Sequence, residues 1–189
     1  MKVLRFIEWL FSYINRIFGF IASVAMIAFI FIVFFIAISR EFFTFTSSKL
    51  DDSAIILFAI IFTFASGYTL LHHGHVRIDI FYAKFSPKFR ALVNIFGSIF
   101  LGLPAMTFLL VKAIPKAQHA FALKLTSQYS DGISFYWALK YFIIIAAFLL
   151  ILQIVALIIR SFLVLLGEPE VGTSFDKPVV GALHDEEGF

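Results

Sequence analysis

Five histidines and no cysteine are where chemistry would first be sought in this chain. His72, His73 and His75 cluster within four positions, while His119 and His184 stand apart. A metal site needs three or four convergent ligands, and spacings of one and three do not bring imidazoles onto one face of a helix. No Glu-x-x-His motif accompanies them, and the lack of cysteine excludes thiolate ligands, thiol nucleophiles and disulfides. A haem-carrying membrane redox subunit is the alternative that such a cluster raises. Against it, none of the histidines lies inside an apolar run, where a ring could be held between helices. No nucleophile, base and orienting group converge, so the expectation is a protein that is not an enzyme and has no cofactor or metal. In Gly74-His75-Val76-Arg77-Ile78-Asp79, Arg77 and Asp79 share a face only where the backbone is extended or turning. Asp79 is suited to cap a short helix running through Phe85. On residue chemistry alone, this stretch reads as an ordinary basic loop. Gln153 is the single amide deep in an apolar run, where a bond to another helix is worth about 0.6–2 kcal/mol.

The elements that position these residues are set by an unusual composition. The 189 residues are 61% hydrophobic, 19% aromatic and 14% charged, with 27 Phe and a mean hydropathy of +0.99. A small soluble domain cannot bury that much apolar surface, and a disordered chain would be poor in aromatics. A soluble enzyme is therefore excluded, and the solvent for most of the chain is a bilayer. Four stretches, 17–39, 53–71, 91–111 and 141–159, lack any charged residue. Each is long enough to cross about 30 Å of hydrocarbon at about 1.5 Å per residue. The expected fold is an all-α integral membrane protein with four transmembrane helices, an N-terminal interfacial amphipathic helix and short interfacial loop helices.

The amphipathic helix is read from residues 1–16, where Arg5, Glu8, Ser12 and Asn15/Arg16 form a polar stripe among apolar residues. The apolar run that follows is too long for a secretory signal, and no small-residue cleavage site follows it. Ser86 and Pro87 suit an N-cap and a first helical position, so the third helix is expected to start there. A separate helix is expected around residues 116–128, and Tyr136 and Trp137 mark the interface where the fourth helix enters. Small residues recur every fourth position at Gly19 and Ser23, at Ala59, Thr63 and Gly67, and at Ser98 and Gly102, a spacing that brings backbones close. Pro104 is expected to kink the third helix. Residues 1–166 form the membrane domain, with fourteen Lys/Arg against six Asp/Glu, and 167–189 are expected to be an acidic, disordered tail. Basic residues number nine on one side of the membrane and six on the other, which favours cytoplasmic termini; the third loop alone, with four lysines, opposes it. The basic excess suits lipid headgroups, and no nucleic acid is invoked. The spans hold no ionisable residue of the kind that ion-coupled carriers place at membrane depth.

His75-Val76-Arg77-Ile78-Asp79-Ile80-Phe81-Tyr82, directly after the second span, resembles the His-Val-Arg-Val-Asp signature of a known family. That family is the small, DctQ-like membrane subunit of tripartite ATP-independent periplasmic (TRAP) transporters. Ser86-Pro87-Lys88-Phe89-Arg90, Gly97, Pro104, Trp137 through Lys140 and Leu152-Gln153 continue the pattern in order. Asp52 stands where an acidic residue, usually Glu, opens the second helix. Asp131-Gly132-Ile133-Ser134 departs from the Gly-Gly-Leu-Pro of many relatives. The resemblance is strongest to the branch named for mannitol or chloroaromatic compounds. It implies a bacterial inner-membrane protein that braces a large transport subunit on a separate chain. That partner performs sodium-coupled uptake of an organic acid or related solute delivered by a periplasmic substrate-binding protein. It also marks Asp52, His75, Arg77, Asp79 and Gln153 as motif or partner-interface residues. Membrane lipids are the remaining partners expected.

Overall fold

The computed structural model describes residues 2–43, 45–71, 86–129 and 131–167. Those residues are helical apart from the connections. Helix α1 is Lys2–Phe43, α2 is Ser48–Leu71, α3 is Pro87–Gly97, α4 is Leu103–Ala122 and α5 is Ala138–Leu165. Between α3 and α4 the chain continues through a π-helical turn, Ser98–Gly102, so the two helices and this turn form one long rod. Four helices are thus long and apolar enough to cross a membrane.

The ends of these helices follow from local residue chemistry. Ser86 accepts a hydrogen bond from the Phe89 N–H, and Pro87 opens α3 as the sequence predicts. Pro104 has no N–H to offer the carbonyl four residues back. The chain takes up the misfit just before it, where the Leu103 N–H bonds five residues back to Ser98. The expected disturbance at Pro104 is therefore a π-helical turn. At the far end of α4, Lys124 takes a left-handed conformation (φ 46°), and the Lys124 and Leu125 N–H groups bond back to the Phe121 and Ala120 carbonyls. This is a Schellman closure with lysine in the position usually given to glycine. The helix expected around 116–128 is thus no separate element: α4 runs through residue 122, and the closure stops it. Gly167, at φ 92°, performs the same service after α5.

Helix α1 also differs from expectation. It runs unbroken for 42 residues, about 63 Å at 1.5 Å per residue, roughly twice the hydrocarbon thickness. The amphipathic segment is continuous with the first span. Its Ser12 and Asn15 are buried, while Phe6, Trp9 and Tyr13 stack along the exposed side. Glu8 and Asn15 of the polar stripe have partners on another helix, so this part of it packs inward, while Arg5 and Arg16 are exposed.

Helix α5 lies at the centre and contacts every other helix. Helices α1 and α2 pack together against one side of it, and α3 and α4 make nearly all their contacts through it. The core is built mostly of small residues, joined by Leu71, Leu149, Ile154, Leu163 and Val164. Ala22, Ala25, Ala91, Ala113, Ala117, Ala120, Ala146, Ala147 and Ala156 are buried, whereas Phe100 and Leu101 are 72% and 76% exposed. Among the described residues no phenylalanine belongs to that core. Lipid tails solvate phenylalanine as well as a protein interior does, so close backbone approach through small side chains is what holds the helices.

Candidate functional site

Polar contacts tie these helices together at three places, two of them between α1 and α5. At the deeper one, Asn15 Nδ2 donates to Gln153 Oε1 at 3.0 Å and to the Phe11 carbonyl at 3.1 Å. Both side chains are buried. Asn15 Oδ1 has no conventional donor and lies against Gly67 on α2. A Cβ at Gly67 would overlap that oxygen, so the absent side chain is what lets three helices meet at one carboxamide. Thr63, one turn earlier on α2, donates to the Phe142 carbonyl of α5 at 3.3 Å. Of the small residues noted on α2, Thr63 and Gly67 thus face the protein.

Seven residues earlier on α1 and seven later on α5, the pairing repeats. Arg160 donates to Glu8 Oε1 from Nη2 at 2.5 Å and from Nε at 3.2 Å, and Ser12 Oγ reaches the same oxygen at 3.2 Å. Two helical turns return each chain to the same face, so the two contacts fix an antiparallel register. Glu8 and Arg160 are each more than four-fifths covered. Sequence reading singled out Gln153 but missed Asn15 as its partner, because Asn15 sat in a stripe that looked interfacial. The signal was present as a polar pair seven apart on α1 matched by a polar pair seven apart on α5.

The third contact sits at the opposite end of the bundle. Asp52 is 1% exposed, and its Oδ2 accepts the Ile133 N–H at 2.9 Å. A Cβ on Gly132 would collide with Ser127 and crowd Asp52 Oδ2, so this glycine lets the loop 123–137 close over the carboxylate. The Ser127 N–H donates to the Ile133 carbonyl and the Trp137 N–H to the Leu125 carbonyl, both at 3.1 Å. Lys49 pairs with Asp131 at 3.2 Å, and Arg40 holds Asp51 with two contacts of 2.7 and 2.6 Å. The start of α2 therefore anchors the whole connection into α5. Trp137 stands edge-on to Phe121 and Tyr141, an aromatic cluster at the level where α5 enters.

Of the residues singled out from sequence, Asp52 and Gln153 occupy these two buried nodes at opposite ends. His75, Arg77 and Asp79, with His72, His73 and the capping role expected of Asp79, lie outside the described residues. His119, the only histidine among the described residues, is on α4, and no group of three metal-binding side chains forms among the described residues.

Compared with protein families, residues 29–164 match the model of the DctQ component of tripartite ATP-independent periplasmic transporters. The chain belongs to the DctQ family. No match was found among curated proteins or among solved structures. DctQ is a transporter-component family and not an enzyme family, and membership does not favour the haem-binding alternative. With four membrane-spanning helices, this DctQ protein is an integral inner-membrane component of a tripartite system that also comprises a large membrane subunit and a substrate-binding protein.

Proposed function

We propose that this DctQ protein is a scaffold. It braces the fixed part of a large TRAP transport subunit during sodium-coupled uptake of an organic acid or related solute. One observation carries this reading: the two buried carboxamides and the Thr63 hydroxyl are spent on holding the chain's own helices together. Asn15, Gln153 and Thr63 bond between helices, and the described spans contain no ionisable side chain inside the uncharged stretches. A carrier needs such groups to bind or relay its substrate. Meanwhile the rod of α3 and α4 leaves a long apolar face exposed, with Phe96, Phe100, Leu101, Phe108 and Val111 on it, which suits a helix laid against a partner in lipid. Glu8 near the start of α1 sits beside Arg160 near the end of α5, which supports termini on one side, and the count of basic residues supports the cytoplasmic side. On the ordered motif set alone, we place the chain in the branch named for mannitol or chloroaromatic compounds. Arg77 and Asp79 are assigned to supporting the partner, and alanine at either is expected to weaken assembly or transport while leaving insertion intact.

The deciding experiment tags the protein in its native host, extracts it in mild detergent and identifies stoichiometric partners by mass spectrometry. A many-helix membrane protein is expected. In proteoliposomes the isolated chain is expected to give no uptake, and sodium-driven uptake by it alone would refute the scaffold assignment.

A further inference from the structure

Near the end of α4 the surface opens into a groove of about 410 Å³ lined by Pro115, Lys116, His119, Ala120, Leu125 and Lys140. Its floor is Ala120 with Leu125, brought together by the Schellman closure, and the Trp137 N–H bond to the Leu125 carbonyl fixes that wall against α5. The rim is cationic. Lys116, His119 and Lys140 make no side-chain hydrogen bond or ion pair among the described residues, while the nearby acidic groups are already committed: Asp131 to Lys49, Asp51 to Arg40 and Asp52 to the Ile133 N–H. The first backbone N–H groups of α5 are also taken, since Ala138, Leu139 and Lys140 donate to Phe135, Tyr136 and Trp137. Any anion in the groove is therefore held by the two ammonium groups and the imidazole.

Depth decides which kind of anion. Lys140 immediately precedes the uncharged stretch 141–159, Lys116 follows the uncharged stretch 91–111 by one turn, and Trp137, Tyr141 and Phe121 cluster beside them. That is headgroup level. The groove sets two ammonium groups and an imidazole beside apolar walls, the division of an anionic phospholipid. We propose that it binds the phosphodiester headgroup of such a lipid, with Lys116 and Lys140 pairing with the phosphate, His119 donating to it, and an acyl chain running past Pro115 toward the uncharged stretch 91–111.

The test is lipid retention by the purified full-length chain, measured by native mass spectrometry after exchange into defined lipid. Phosphatidylglycerol is expected to be retained over phosphatidylcholine. Lys116→Ala and Lys140→Ala are each expected to reduce that retention about fivefold, the factor equal to about 1 kcal/mol for one basic residue at an anionic surface. Arginine at both positions is expected to preserve it. Lys112→Ala removes the same charge one turn away, where Lys112 lies over the Phe108 ring, and is expected to change little. Equal retention of the two lipids, or an equal loss with Lys112→Ala, would show only a diffuse basic surface and overturn the proposal. Displacement of the lipid by inorganic phosphate at low concentration would overturn it in favour of a small-anion site.

Discussion

At Gly67 one added methyl group would run into the Asn15 carboxamide, whereas at Gly97 a Cβ would meet nothing within 4 Å. The two alanine variants therefore separate crowding from helix propensity. Gly67→Ala is expected to destabilise the bundle by about 1–3 kcal/mol, the usual cost of overpacking. Gly97→Ala is expected to be neutral or stabilising, since alanine is the better helix former. Thermal unfolding in detergent reads both. Asp52 permits a similar separation of charge from geometry. Asp52→Asn keeps an oxygen for the Ile133 N–H and is expected to preserve the loop, while Asp52→Ala leaves that donor without its partner at a cost of about 1–3 kcal/mol. Limited proteolysis within 123–137 should accelerate for the alanine variant only. If asparagine is as damaging as alanine, the negative charge itself matters.

Between helices, the Glu8–Arg160 contact is testable as a pair. Removing one partner leaves a largely covered charge alone, so Glu8→Gln or Arg160→Met is expected to cost more than the two together. A double-mutant cycle on thermal stability checks this, and additive effects would mean the pair does not interact energetically. The four spans were legible in the sequence because uncharged runs of bilayer length are a one-dimensional signal. The Ser86-Pro87 start of α3 was legible for the same reason, as cap chemistry is local. What escaped was pairing. Whether Asn15 faces headgroups or Gln153 depends on a helix that lies 138 positions away, and no periodicity within α1 distinguishes the two. The end of α4 escaped as well, because Lys124 occupies a left-handed position where a reader of sequence looks for glycine. Asp52 was marked through a family pattern, but its acceptor role on a loop 81 residues later is a tertiary fact.

For the molecule as a whole, the buried polar contacts gather on the three-helix cluster of α1, α2 and α5, and the rod of α3 and α4 is left open. Deleting residues 168–189 is expected to leave insertion and partner binding unchanged, since that acidic segment has no apolar face to bury; co-purification of the truncated chain with its partner is the measurement. On the proposed orientation, Lys116 and Lys140 belong to the loop that opposed the basic-residue count, and a bound anionic lipid gives their charge a use unrelated to topology. The antiparallel register of α1 and α5 has a further consequence for biosynthesis. The ribosome makes α1 first and α5 last, so Glu8 and Asn15 enter the membrane well before Arg160 and Gln153 exist. During translation the early helices carry polar groups with no lasting partner, a condition that membrane chaperones and proteases recognise. The chain becomes a finished subunit only when its final helix arrives, and a product cut short before Gln153 should be cleared rather than assembled.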